Sequence, residues 1–332
     1  MLRFALFGAG RIGRLHADNV SANPDAKLVC VYDVNEAAAT EVARKHGAKV
    51  APTVEAALAD PEVDAVLIAS STNTHVDLIT RSAKAGKAVL CEKPIDLDLA
   101  VVDRCREEIA GCNVPVQIGF NRRYDPSHRG VFSAVKNGEI GKLEQLVITS
   151  RDPSPPPASY VAVSGGLFRD MMIHDFDLAR FILGEEVVEV TASGSVLVDP
   201  EIGAAGDVDS AMVVMKTASG KLCHINNSRR ASYGYDQRVE AFGSEGMVIS
   251  NNRTATTVER FSANATAVRE PLLNFFIDRY GDAYRNQIND FIDAVANGRQ
   301  PSPGFDDGRR ALVLADAALE SLKTGRTVQV KY

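Results

Sequence analysis

Phe4-Ala5-Leu6-Phe7, running directly into Gly8-Ala9-Gly10-Arg11-Ile12-Gly13, is the stretch that decides the fold. A short apolar run empties into three glycines spaced G-x-G-x-x-G, and helix-forming residues continue from Arg14 to Val20. Strand, tight turn and helix in that order lay a pyrophosphate on a helix N-terminus, where unpaired N–H groups and the helix dipole favour an anion. Gly8 permits the turn, Gly10 the approach of backbone to phosphate, and Gly13 the packing of helix on strand. Arg11 and Ile12, inside the loop, join the three glycines as expected cofactor contacts. Alone the pattern is common, so its surroundings carry the weight.

Outward from the loop, Lys27–Tyr32 reads as a second strand ending at Asp33, 20 residues past Gly13. A dinucleotide fold places there the carboxylate that accepts hydrogen bonds from the adenosine ribose hydroxyls. Asp33 could also cap a helix starting near Asn35, and the two roles are compatible. Strands and helices then alternate: a helix over Glu36–His46, a short strand at Lys49-Val50, a helix over Val54–Ala59 and a buried strand over Asp64–Ala69. Such alternation predicts parallel strands with right-handed crossovers, a doubly wound α/β sheet. Ser71, Thr72 and Asn73 follow at a strand's carboxyl end and are expected to touch the cofactor. Asn73 or Thr74 could equally cap the helix that begins near His75. His16 and His75 both open onto helical stretches and read as structural.

Ala88–Cys91 is a further buried strand, ending in Glu92-Lys93-Pro94. A lysine at the carboxyl end of an interior strand is placed to meet substrate and nicotinamide, and Pro94 restricts the backbone presenting it. The sequence leaves the Lys93-Pro94 bond cis or trans. A glycine fingerprint, an acid after the second strand and Glu-Lys-Pro after the fifth resemble the glucose-fructose oxidoreductase and inositol dehydrogenase family. The resemblance runs the length of the chain, and it implies that Lys93 contacts both cofactor and substrate, with Glu92 also at the cofactor.

The chain's 332 residues suit two domains. Residues 1–120 are expected to bind NAD, and residues 121–332 to bind substrate and form oligomers, with the last helix and strand bracing both. A net charge of -6 and a pI near 5.6 argue against a nucleic-acid surface and favour a small-molecule partner. Five cysteines without a C-x-x-C read as reduced thiols of a cytoplasmic protein. Neither a signal peptide nor an apolar run of membrane-spanning length is read.

Phe120-Asn121-Arg122-Arg123-Tyr124-Asp125 resembles the family's crossover into the substrate domain, where an arginine reaches a polyol hydroxyl. Arg123 is the expected contact, with Arg122 in an outward ion pair. Asp152, beside the rigid Pro155-Pro156-Pro157 stretch, is a candidate for substrate hydroxyls. Leu167 to Ile182 reads as one apolar helix, in which Asp170 and His174 stand at i and i+4 on one face. Alcohol oxidation needs such a pair. Hydride leaves carbon only as the hydroxyl proton is removed, imidazole is suited to accept it near neutral pH, and a carboxylate orients the ring. Asp170-x-x-x-His174 followed by Asp175 is similar to the family's catalytic segment, with Lys93 stabilising the developing alkoxide. No metal is expected, because one histidine without nearby cysteines makes a poor ligand set.

From Val187 the pattern turns to strands: Val187–Val198, Asp207–Lys216, Lys221–Ser228, Gln237–Phe242 and Met247–Ser250. Short turns between them predict an α+β domain with a large, mainly antiparallel sheet. By resemblance such sheets pair subunits, implying a homodimer or homotetramer, and Tyr233 approaches substrate. The resemblance implies NAD-dependent oxidation of a secondary hydroxyl of a cyclic polyol, myo-inositol to its 2-keto product first of all. Its rivals are an aldose or another inositol isomer as substrate, or a non-catalytic NAD-sensing sugar-binding regulator.

The choice of NAD over NADP follows from charge. A phosphate on the ribose 2′ position would meet Asp33 as a like charge, costing about 4 kcal/mol at about 4 Å for an effective dielectric near 20. A charge-assisted hydrogen bond recovers only ~1.5–3 kcal/mol, and the next residue, Val34, supplies no compensating cation. The expected outcome is a higher kcat/KM with NAD than with NADP; equal or better efficiency with NADP refutes it.

Overall fold

A computed structural model describes residues 1–332. They form two compact units, Met1–Asn121 with Ala283–Leu312 and Arg122–Asp282 with Val313–Tyr332, so the chain passes between units three times.

The first unit carries β1 (Leu2–Phe7), α1 (Arg11–Ala22), β2 (Ala26–Tyr32), α2 (Glu36–His46), β3 (Lys49–Val50) and α3 (Val54–Ala59). It continues through β4 (Ala65–Ile68), α4 (His75–Lys84), β5 (Ala88–Cys91), α5 (Leu99–Ile109) and β6 (Val116–Ile118). The six strands run parallel in the order β3-β2-β1-β4-β5-β6. The order reverses between β1 and β4, so the loops leaving their carboxyl ends border the crevice where such sheets bind ligands. Local chemistry agrees with this layout. Asn35 caps α2 by accepting from the Ala38 amide, and Gly47, at φ 66°, closes it. Phe4, Leu6, Val31, Leu67 and Leu90 build the core, joined by Phe291, whose ring lies 5.9 Å from that of Phe4.

The second unit opens with α6 (Pro126–Lys136), β7 (Leu143–Arg151), α7 (Ala158–Ser164), α8 (Gly166–Asp170) and α9 (Ile173–Leu183). Asp125 before Pro126 is a helix-start signal, and its carboxylate accepts from the Ser127 and His128 amides. Then come β8 (Val187–Ser195), α10 (Pro200–Ala204), β9 (Ser210–Thr217), β10 (Leu222–Ser228), β11 (Asp236–Gly243) and β12 (Gly246–Ser250). The chain ends with β13 (Glu259–Arg260), β14 (Val268–Arg269), α11 (Phe276–Arg279), α12 (Gly281–Ala296), α13 (Phe305–Thr324) and β15 (Val328–Gln329). Seven strands form one sheet in the order β12-β11-β7-β10-β9-β8-β15. Only β7 and β10 pair in parallel, as the alternating pattern predicts for a mainly antiparallel sheet. Phe176, Leu178 and Ile182 of α9 share a core with Ile148, Val213, Ile225 and Val239 of the sheet.

One helix expected as continuous is broken. Leu167–Ile182 divides into α8 and α9 at Met171-Met172, where the Leu167 carbonyl accepts from both the Met171 and Met172 amides. Met171, Met172 and Ile173 are all buried at the break. A further break falls at Tyr280, between α11 and α12, and the buried Tyr280 hydroxyl meets His128 and Gln237.

Buried on nearly every side, α9 contains three charged residues that an apolar environment would reject unpaired. Asp175 accepts from Arg122, from Ser150 Oγ at 2.7 Å and from Asn227 Nδ2 at 2.9 Å. Asp177 accepts from Arg123 Nε at 2.8 Å and Nη2 at 2.5 Å, and Arg180 pairs with Glu186. Two acids of α9 thus pin the Arg122-Arg123 segment. No helix is long and apolar enough to cross a membrane, and all five cysteines are free. Removing one partner of a buried pair strands the other charge, so Asp177→Ala should lower unfolding free energy by ~3–5 kcal/mol. Urea denaturation measures it, and a loss below about 1 kcal/mol, the level of a surface ion pair, contradicts the assignment.

Candidate active site

The glycine loop leaves β1 and meets the sheet so closely that two of its positions have no room for a side chain. A Cβ on Gly8, which sits at φ 101°, would lie 2.5 Å from the Ala69 carbonyl carbon, and one on Gly13 would lie 1.9 Å from the Gly8 carbonyl oxygen. Gly10 differs, with nothing within 4 Å of its Cβ position. It is exposed and precedes α1, whose N-terminus has no side-chain cap. Open space beside uncapped helix amides fits a pyrophosphate. Arg11 is exposed and Ile12 half-buried at the same helix start.

Asp33 accepts from the Ala9 amide at 2.6 Å and from the Asn35 amide at 2.7 Å, so it ties the end of β2 to the glycine loop. The helix cap itself is Asn35. An ionised carboxylate has about four acceptor sites, so capacity remains for ribose hydroxyls. Beyond β4, Ser71 and Asn73 are exposed and Thr72 half-buried. Thr74 does not cap α4. Its hydroxyl bonds Ser70 Oγ at 2.6 Å and the Ser71 carbonyl at 2.7 Å, bracing the loop internally. The donors and acceptors of all three loops suit NAD.

Lys93 follows β5, half-buried, and the Lys93-Pro94 bond is cis. Its neighbour Glu92, expected at the cofactor, directs a carboxylate oxygen to His16 Nε2 at 2.7 Å.

In the second unit, Asp170 ends α8 and His174 lies in the first turn of α9, both half-buried. Asp170 accepts from Arg229 Nη2 and from the Tyr160 hydroxyl, each at 3.0 Å. The same arginine reaches Asp152 through Nη1 at 3.2 Å. Parallel pairing explains the meeting: Ser228 stands opposite Arg151 in β10 and β7, so the next residues, Arg229 and Asp152, emerge side by side. Burial pushes the Asp152 carboxyl above the usual range while Arg229 opposes that shift. The Arg229 guanidinium is buried, so it faces two acids with little screening. Neither Arg229 nor Tyr160 was legible as a site residue, because β10 and α7 reach Asp170 only through the sheet register and the fold of the proline-rich segment.

Arg122 and Arg123 are both buried, which corrects the outward ion pair expected of Arg122. Arg123 lies over the Phe181 ring at 4.9 Å while it grips Asp177. Tyr233 is about half exposed; its hydroxyl donates to Asp236 at 2.7 Å and accepts from Arg151 Nη1 at 2.8 Å. With Gly234, Asp236, Arg238 and Asn252 it lines an open cavity of about 730 Å³.

Residues 2–120 match the family model described as an oxidoreductase family with an NAD-binding Rossmann fold. Residues 128–249 match the GFO/IDH/MocA C-terminal domain. The chain is 50% identical over 329 residues to the inositol 2-dehydrogenase of Rhizobium meliloti, covering 99% of each. It is 49% identical over 331 residues to the myo-inositol 2-dehydrogenase of Thermotoga maritima, again covering 99% of each. A crystal structure of scyllo-inositol dehydrogenase from Lactobacillus casei with bound NAD(H) and scyllo-inositol superposes with a TM-score of 0.89 at 28% identity, covering 99% of each chain. A parallel sheet with its glycine loop, an acid at the end of β2, a lysine after β5 and a mainly antiparallel second sheet all agree with these matches: the chain belongs to the GFO/IDH/MocA family of NAD-binding Rossmann-fold oxidoreductases.

Proposed function

We propose that this oxidoreductase converts a secondary hydroxyl of a cyclic polyol to a ketone with NAD, and that myo-inositol is its first substrate. The observation that carries the substrate is half-identity across 99% of the chain to a relative named inositol 2-dehydrogenase. Bound NAD supplies the hydride acceptor. The first unit's glycine loop, Asp33 and the Ser71-Thr72-Asn73 loop bind and orient it.

In the reaction the substrate C–H bond breaks with its electron pair and the hydroxyl O–H bond loses its proton, leaving a carbonyl. His174 takes that proton. Asp170 orients the imidazole and stabilises its charged form, and the hydrogen bonds from Arg229 and Tyr160 hold Asp170 in place. Lys93 stabilises the oxyanion that develops as the proton leaves and before the hydride has fully departed. Asp152 and Tyr233 are assigned to substrate hydroxyls. Arg123, committed to Asp177, is assigned to fixing the crossover segment rather than to substrate directly.

The oligomer is also a proposal, supported by the outward face of the seven-stranded sheet. Directly paired residues share a face, and Leu222, Phe242 and Met247 form one row with Gln145 while Val214, Val147 and Ile249 form the next with His224 and Glu240. Phe242, Met247, Val214 and Ile249 are each at least 40% exposed, an apolar surface suited to a second copy of the same face. Five free thiols support a reducing compartment, the cytoplasm.

Replacing His174 by Ala should lower kcat by ~10²–10⁴ while NADH still binds. Steady-state rates and NADH fluorescence titration test this together, and near-normal turnover refutes the base. Initial rates with NAD across a panel of inositols and aldoses should be highest for myo-inositol; no rate on any inositol overturns the substrate. Light scattering should give a multiple of 35.7 kDa, reduced by Val214→Glu with Met247→Glu, whereas a monomeric wild type removes the oligomer.

A further inference from the structure

Two fully buried histidines sit on either side of the lysine loop without a place in the mechanism above. His16 lies on α1, three positions beyond Gly13, and its other buried helix neighbours are Gly13, Ala17 and Val20. Among such residues an imidazole needs a partner. It has one in Glu92, whose oxygen stands 2.7 Å from Nε2, and the edge of the Tyr284 ring packs against it at 5.6 Å between centroids. The Glu92 carboxylate is confined on its far side as well. A Cβ on Gly119 would lie 2.8 Å from Glu92 Oε2, so the glycine leaves the space that the carboxylate occupies.

His75 performs the matching task beyond Lys93. Its Nδ1 lies 2.7 Å from the Pro94 carbonyl oxygen and its Nε2 lies 3.1 Å from the Ser70 carbonyl oxygen. Burial lowers its pKa, which keeps the ring neutral, so it carries one N–H to donate; the shorter contact assigns that N–H to Pro94. His16 therefore fastens the residue before Lys93 to the glycine-loop helix. His75 fastens the residue after it to the start of α4, which follows the loop leaving β4. Both anchors belong to segments that hold the cofactor.

We propose that His16 and His75 are positioning residues that fix Lys93 from its two sides and register it against the cofactor loops. The lysine ammonium rides on a four-carbon stem, so its position is set by the backbone of residues 92–94 before any substrate arrives. Displacement by about 1 Å costs ~10²-fold in rate when a group must meet a developing charge. This inference rests on the assignment of Lys93 to the oxyanion.

The test uses the full-length enzyme and pairs of variants. Gln can present an N–H near the place of Nε2 and Asn near that of Nδ1, so His16→Gln and His75→Asn keep the bonds that His16→Ala and His75→Leu remove. Gly119→Ala disturbs Glu92 without altering either histidine. The expected outcome is a kcat lowered by about 10–100-fold in His16→Ala, His75→Leu and Gly119→Ala, with His16→Gln and His75→Asn within about fivefold of wild type. NADH dissociation constants from fluorescence should stay within about threefold, since the cofactor loops keep their own contacts. Equal losses within each pair, NADH affinity falling in step with kcat, or unchanged kcat throughout would each overturn the proposal. Should the Ala and Leu variants fail to fold, His16→Gln and Gly119→Ala decide: full kcat in Gly119→Ala ends it. Lys93→Ala separates the two levels. Normal turnover there removes the role of Lys93, whereas an inactive Lys93→Ala beside fully active histidine variants removes only the positioning role.

Discussion

The first unit depends on one close approach, that of α1 to the turn leaving β1. The Gly13 backbone comes so near the Gly8 carbonyl oxygen that any side chain would collide with it at 1.9 Å. This contact fixes the helix axis against the sheet, and three consequences follow from it. The uncapped N-terminus of α1 faces the open space beside Gly10, where an anion is stabilised. The Ala9 amide is presented to Asp33, linking the glycine loop to the end of β2. One turn further along, His16 is carried to Glu92 and thereby to the lysine loop. The glycine loop and the lysine loop, distant in sequence, are thus held by one helix.

The second unit solves a different problem, that of keeping charges inside an apolar core. The acids of α9 are not spare catalytic groups. Asp175 and Asp177 satisfy Arg122 and Arg123, and a buried charge without such a partner would shift its pKa or unfold the region. The acids nearer the proposed chemistry, Asp152 and Asp170, share Arg229 instead. Arg229 faces both carboxylates and opposes the upward shift that burial imposes on Asp152, and each acid keeps acceptor capacity for a ring or a hydroxyl.

Much of the fold was legible because it rests on local rules. Strands β1 to β5 and their helices follow from apolar runs, glycine turns and caps such as Asn35 and Asp125, and these act over a few residues. Asp170 and His174 were singled out through their i, i+4 spacing, yet the single helix that the spacing assumed is two helices, parted at the buried Met171 and Met172. Arg122 and Arg123 look equivalent in sequence, and only their partners on α9 show that both are buried.

By itself the sequence determined the kind of sheet, the glycine loop, the acid at the end of β2 and the lysine placed after β5. Each of these depends on backbone freedom, periodicity or a fixed spacing, which neighbouring residues set. Tertiary structure alone decided which polar groups hold which. His16 finds Glu92 across 76 positions, Arg229 finds Asp170 across 59, and Arg123 finds Asp177 across 54. Nothing in the spacing of those residues announces the pairs, because a buried polar group takes whatever partner the packing brings within reach, and that is settled when the sheets and helices close around it.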